Sequence, residues 1–264
     1  MNYVDTHTHL DGEEFRDDLP QVIARAKAVG VSKVFLPAIN LSSVESIQNV
    51  CRTYPDYAYP MIGLHPEEVK ADFREVLAKM RAILERNLAE PGQDARYIAI
   101  GEIGLDFYWS REFKQEQLEA FEEQVKWSVE TRLPLSIHCR KGQNEMVHIL
   151  KHYAEALPGG VFHCFTGNEK EATELLAFDR FVLGIGGVLT FKSSHLPEVL
   201  PHLPLSRLVL ETDSPYMAPV PMRGQRNESS YVQYVLQKLA ACYGISDEEI
   251  ARRTTANVQR VFGV

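Results

Sequence analysis

Short apolar runs alternate with longer amphipathic stretches from one end of the chain to the other. The short runs fall at Tyr3–His9, Val31–Ile39, Ala58–His65, Tyr97–Gly104, Leu133–His138, Gly160–His163, Phe181–Gly186 and Arg207–Asp213. Runs of this length read as buried β-strands. Between them, Glu13–Val29, Ser43–Thr53, Glu67–Leu88, Glu112–Thr131, Asn144–Ala156 and Glu169–Phe178 carry apolar residues at helical spacing. A last helical pair, near Ser229–Tyr243 and Asp247–Phe262, closes the chain. Ser246 with Glu249 three residues on reads as a capping box for the final helix.

Eight strands separated by helices in 264 residues predict an α/β fold, a TIM (β/α)8 barrel of parallel strands. A doubly wound open sheet is the rival. It would need a topological switch point and usually a Gly-rich phosphate turn near the start, and neither is visible. No low-complexity linker, short repeat or composition break divides the chain, and Ala89-Glu90-Pro91-Gly92-Gln93 reads as a loop. Residues 1–264 are therefore expected to form one domain.

Composition narrows the class without choosing the chemistry. A hydrophobic content of 45% and a charged content of 24% are ordinary for a soluble globular protein. No apolar run approaches the roughly 18–20 residues that a membrane helix needs, so no membrane association is expected. The chain reaches Asp5 and His7 at once, which leaves no room for a signal peptide and makes the cytoplasm the expected location. Cys51, Cys139, Cys164 and Cys242 show no C-x-x-C spacing and are expected to be free thiols. The formal net charge of −8 argues against a broad, charge-driven nucleic-acid binder. It leaves a nuclease open, because bound divalent cations would reverse the local field.

The candidate chemistry lies at the strand ends. In Asp5-Thr6-His7-Thr8-His9-Leu10-Asp11, side chains two apart on a strand share a face, so His7 and His9 can grip one ion, with Asp5 a step deeper. Glu102 lies in the run that ends the fourth strand, His138 ends the fifth and His163 the sixth. Asp213 ends the eighth, with Glu211 two residues back on the same face. Barrel active sites form at the C-terminal ends of the strands. Taken singly, each residue has a bland alternative: a hydrogen-bonded rim histidine, a salt-bridging Glu102, an Asp213 that caps a turn. Four histidines and two acids at one rim are what point to metal.

Imidazoles hold borderline divalent cations, and carboxylates bridge and neutralise them. Six ligands exceed one tetrahedral site and suit two ions about 3.5–4 Å apart. Glu102 is assigned as the bridge, with His7, His9 and Asp213 completing one site and His138 and His163 the other. Water at such a site loses its proton near neutral pH, and Asp213 is placed to orient it or accept that proton. Cys139 and Cys164 follow ligand candidates directly and are expected to face the strand–helix layer. His148, His152, His195 and His202 are read as surface residues. Phe107, Tyr108, Trp109 and Tyr216 lie on mouth loops, where they either pack over the barrel or stack on bases.

With these residues in place, the chain resembles the TatD family of metal-dependent deoxyribonucleases, within the wider amidohydrolase-like metallo-barrels. The matching strings are the Asp5–Asp11 run, Gly63-Leu64-His65-Pro66, Gly101-Glu102-Ile103-Gly104-Leu105-Asp106-Phe107-Tyr108, His138-Cys139-Arg140, His163-Cys164-Phe165-Thr166-Gly167 and Glu211-Thr212-Asp213-Ser214-Pro215-Tyr216. The resemblance implies divalent metals and hydrolysis of DNA, often from the 3′ end of single strands. It also implies that His65 and Arg140 line the substrate side and that Arg223 lies on a phosphate-holding loop, as the planar guanidinium suits. Two positions differ from the family's usual pattern: Lys141 follows Arg140 where an acid is common, and Met222 precedes Arg223-Gly224 where a histidine is common. Both lie on the substrate side.

Two other readings stay beside this one. The first is a hydrolase of a small phosphoester, amide or lactone; related barrels of that kind bridge their metals with a modified lysine, where this chain has Glu102. The second is a non-catalytic, metal-stabilised scaffold in a DNA-processing assembly. Four histidines suit Zn2+, Mn2+ or Ni2+, whereas the resemblance implies Mg2+, so Mg2+ or Mn2+ is expected in function with Zn2+ or Ni2+ as alternatives. The expected partner is a single-stranded DNA end. No obligate protein partner is evident, and the chain is expected to be a monomer.

Overall fold

The computed structural model describes residues 1–264. Eight parallel strands run in sequence order around one sheet: β1 Tyr3–Asp5, β2 Val31–Pro37, β3 Ala58–Ile62, β4 Ala99–Asp106, β5 Leu135–Arg140, β6 Gly160–Phe162, β7 Phe181–Ile185 and β8 Leu208–Leu210. Helices α1 Leu19–Ala28, α2 Leu41–Thr53, α3 Phe73–Ala89, α4 Lys114–Thr131, α5 Gln143–Tyr153 and α6 Glu169–Leu176 follow β1 to β6 in turn. The β7–β8 connection holds only 3-10 turns and the single-turn α7 Leu196–Val199, and α8 Val232–Tyr243 and α9 Asp247–Phe262 end the chain. This is the TIM barrel that the alternating pattern predicts.

The interior and the outer layer separate by strand periodicity. Val4, Phe35, Met61, Ala99, Val161, Val182 and Val209 form a buried cluster drawn from seven of the eight strands. Val258 and Phe262 of α9 join that cluster and plug the barrel floor. The larger cluster lies between strands and helices, with Trp127 and Phe121 of α4 among its bulkiest buried side chains. No helix is long and apolar enough to cross a membrane.

The element edges differ from the periodicity where local chemistry intervenes. The stretch Glu13–Val29 splits into a 3-10 turn at Glu13–Phe15 and α1, with Pro20 in the first turn of the helix, where its missing N–H costs nothing. Glu67–Leu88 likewise splits into a turn at Pro66–Glu68 and α3. Ser246 caps α9 by accepting from Glu249 N–H at 3.2 Å. The reciprocal half of the expected box is absent, because the Glu249 carboxylate pairs with Arg252 and Arg253 instead.

The seam between β1 and β8 positions the site. Both strands are only three residues long. Beyond them the chains stay joined by Thr6 N–H to Leu210 O at 3.0 Å, Asp213 N–H to His7 O at 2.9 Å and His9 N–H to Ser214 O at 2.8 Å. Asp5, buried behind the seam, accepts from Thr212 N–H at 2.9 Å and from Thr212 Oγ1 at 2.6 Å. Its carboxylate thus anchors the residue next to Asp213 and contacts no imidazole. The face shared by Asp5, His7 and His9 in the sequence reading does not extend to Asp5, because strand alternation stops where the strand ends. Burial pushes the Asp5 carboxyl up to about 7.

Candidate metal centre

Glu102 sits at the centre of the rim, 2% exposed, and its two oxygens address two different sets of side chains. Oε2 lies 3.1 Å from His7 Nε2 and 3.7 Å from His9 Nε2. Oε1 lies 2.8 Å from His163 Nε2, 3.2 Å from His138 Nδ1 and 3.3 Å from His65 Nε2. Asp213 adds Oδ1 at 3.5 Å from His9 Nε2 and 3.8 Å from His7 Nε2. All six residues read from the strand ends as ligands are brought into one cluster.

Close backbone approach makes the cluster feasible. Gly104 has φ 147°, and a Cβ there would stand 1.8 Å from the His138 carbonyl oxygen. Only glycine lets β4 and β5 meet at this point. Gly184 makes room for the fully buried Glu211, whose carboxylate would lie 2.0 Å from a Cβ at that position. Glu211 accepts from Cys164 N–H, and the same oxygen stands 3.7 Å from His163 Nδ1. Its carboxylate thus lies behind the His163 ring.

The electrostatics are those of a carboxylate ringed by imidazoles. Burial by itself would raise the Glu102 carboxyl, but the charges of His163, His7 and His65 and the hydrogen bond from His138 hold it well below the usual range. Burial likewise opposes ionisation of Asp213, and the His9 hydrogen bond with the neighbouring histidines brings it below the usual range. Burial lowers His7, which stacks on His163 with centroids 3.9 Å apart. His163 is pulled the other way, because Glu102 and Glu211 outweigh the effect of burial.

Three overlapping groups offer donor atoms within 4.8 Å of one another: His7, His9 and Asp213; His7, Glu102 and His163; His65, Glu102 and His138. Each combines imidazole nitrogen with carboxylate oxygen, the donor mixture that borderline divalent cations take. The residues present therefore fit divalent metal.

Asp106 is the residue that sequence reasoning left unassigned. Its Oδ2 lies 2.9 Å from His138 Nε2, and its Oδ1 accepts from Tyr108 N–H at 2.9 Å. Its position inside Gly-Leu-Asp was the only available signal. His65 stands beside the cluster, its Nε2 3.3 Å from Glu102 Oε1. Its Nδ1 accepts from Glu67 N–H at 3.1 Å, which leaves Nε2 facing Glu102.

The remaining rim residues diverge. Phe107 is buried, whereas Tyr108, Trp109 and Tyr216 are half or more exposed. The Arg140 guanidinium stacks 3.6 Å from the Tyr108 ring centroid. Arg223 stacks 4.1 Å from that of Phe191 and donates to Ala218 O at 3.1 Å. Cys139 packs on the core as expected, and burial pushes its thiol up to about 12. Cys164 is partly buried. It lies past the end of β6 with φ 50°, and burial together with Asp213, Glu211 and Glu102 pushes its thiol well above the usual range. His148, His152, His195 and His202 are exposed, and His202 pairs with Glu169 at 3.1 Å.

A parallel barrel with a histidine–carboxylate cluster at the C-terminal ends of its strands is the architecture of a metal-dependent hydrolase. The family model described as TatD related DNase matches residues 4–263, and the chain belongs to that family. It is 37% identical over 261 residues to the uncharacterized metal-dependent hydrolase YabD of Bacillus subtilis, covering 98% of each chain. It is 32% identical to the 3′-5′ ssDNA/RNA exonuclease TatD of Citrobacter rodentium, covering 98% of this chain and 97% of the other. The crystal structure of YJJV, a TatD homologue from Escherichia coli, superposes with a TM-score of 0.90 at 29% identity, over 99% of this chain and 98% of that one.

Proposed function

We propose that this metal-dependent hydrolase cleaves phosphodiester bonds of single-stranded nucleic acid, DNA foremost, working inward from the 3′ end. The observation that carries the reading is the divided carboxylate of Glu102, with one oxygen toward His7 and His9 and the other toward His138 and His163. That division supports two ions, one held by His7, His9 and Asp213, the other by His138 and His163, with Glu102 shared. Mg2+ or Mn2+ is the proposed working pair, and Zn2+ or Ni2+ also suit the imidazoles. Bound ions there supply Lewis acidity toward a phosphoryl oxygen and lower the pKa of water.

The chain's own residues supply the rest. Asp213, ionised at neutral pH, orients the attacking water and takes its proton at a carboxylate oxygen. His65 offers Nε2–H to a phosphate or to the departing oxygen. Arg140 and Arg223 hold phosphate oxygens beside the cluster. The names of relatives such as the Citrobacter exonuclease support nucleic acid as substrate over a small amide or lactone.

The test uses metal-stripped protein and single-stranded DNA labelled at its 5′ end, with Mg2+, Mn2+ or Zn2+ added separately. The expected result is a metal-dependent ladder shortening from the 3′ end, absent with Glu102→Ala. No cleavage under any metal would overturn the reading and turn attention to small phosphoesters and lactones.

A further inference from the structure

Beyond the hydrolytic cluster, the rim carries an aromatic shelf that the proposed chemistry does not use. Trp109 is 68% exposed and Tyr108 50% exposed, among the few large hydrophobic side chains on the surface. Their rings meet edge to face, with centroids 4.9 Å apart. Arg140 lays its guanidinium over both, 3.6 Å from the Tyr108 centroid and 5.2 Å from that of Trp109. A guanidinium held on aromatic faces rather than in an ion pair keeps its N–H groups free for an anion.

The shelf is tied to the site. Phe107 N–H donates to Arg140 O at 2.9 Å, joining the β4 and β5 ends. Tyr108 N–H donates to Asp106 Oδ1, and the other oxygen of Asp106 meets His138. A ligand resting on Tyr108 and Trp109 would therefore lie beside the cluster in fixed register with it. A partner matching this surface has a flat π-face next to a phosphate. An unmodified protein side chain or a lipid headgroup lacks that pairing, and a single-stranded nucleotide has it.

We propose that Trp109 and Tyr108 form a base-stacking subsite for a nucleotide flanking the scissile bond, with Arg140 holding that nucleotide's phosphate. This deepens the nuclease reading and rests on it. Stacking is indifferent to base identity, because every base presents a π-face. The subsite would grip single strands without reading sequence, and a duplex, whose bases are already stacked, would be a poor ligand.

Trp109 is its own reporter. The other tryptophan, Trp127, is buried. The experiment uses metal-loaded protein and a short phosphorothioate oligothymidine, which resists cleavage while keeping its charge, beside an abasic strand of equal length and linkage. The base-bearing strand is expected to quench tryptophan emission and to bind about 10-fold more tightly than the abasic one. Trp109→Ala should remove both the quenching and the difference between strands, and Trp109→Phe should restore most of the difference. Equal affinities for the two strands in the wild type, or a difference that survives Trp109→Ala, would overturn the subsite. Strands that bind with quenching but whose phosphodiester counterparts are never cut would overturn the nuclease reading and leave the subsite standing. Strands that are cut while Trp109→Ala changes neither binding nor quenching would overturn the subsite alone.

Discussion

Asp106 Oδ2 and His138 Nε2 stand 2.9 Å apart, and that bond decides which nitrogen of the imidazole faces Glu102. Nε2 meets the Asp106 carboxylate, which leaves Nδ1 facing Glu102, 3.2 Å from Oε1. An outer carboxylate of this kind orients a ligating histidine and raises its basicity. Asp106→Ala is therefore expected to weaken metal affinity by roughly 10–100-fold, read by calorimetric titration of metal into stripped protein. Asp106→Asn keeps an acceptor oxygen and should recover part of it. An unaltered affinity in a folded Asp106→Ala protein would remove the orienting role.

Glu102 carries more of the site than any other side chain. Glu102→Ala is expected to abolish hydrolysis and to reduce the number of ions bound, while circular dichroism stays that of the wild type. The barrel survives because its floor and outer layer are built from other residues. Full activity in the folded variant would end the bridging assignment.

Arg223 stacks on Phe191 and donates to Ala218 O. A phosphate role for it predicts that Arg223→Ala chiefly raises KM, by about 10-fold for one charged hydrogen bond of roughly 1.5–3 kcal/mol partly exposed to solvent. Steady-state kinetics on single-stranded DNA check this. An unchanged KM across nucleic-acid substrates would assign Arg223 to loop structure only.

Away from the cluster, Glu228 fastens the loop after β8 to α1 through Arg25, with bonds of 2.8 and 2.6 Å. Burial would raise the Glu228 carboxyl, yet Arg25 and Ser230 hold it below the usual range. A folded value below the unfolded one gives stability that is present above about pH 4.3 and lost as pH falls through the lower folded value. Glu228→Gln should cost about 1 kcal/mol near neutral pH, discounted because Arg25 is half exposed, or a Tm drop of roughly 2–4 °C. The gap from wild type should close as pH falls through that lower folded value. Melting curves across that range test it, and a gap that persists in acid would show that packing, not charge, is lost.

Much of the fold is legible in the sequence. Strand and helix order follow from the spacing of apolar residues, since a parallel barrel buries whole strands and half-buries helices. The six candidate ligands are legible because they fall within or at the ends of the short apolar runs. Edges were less so: Ser246 caps α9 without its reciprocal partner because Glu249 has two arginines within reach, a competition among neighbouring long side chains that spacing does not rank.

The sequence by itself determined the barrel, the family and the residue types able to hold metal, because these depend on local periodicity and on strings that keep their order. Tertiary structure decided which atoms meet. The irregular seam at Thr6 and Leu210 brings His7 and His9 against Asp213 across the length of the chain, and it turns Asp5 to Thr212 instead. Asp106 pairs with Arg140 in the register of β4 and β5, yet its side chain reaches back to His138. Such choices depend on distances between strands far apart in sequence, and no periodicity along a single strand encodes them.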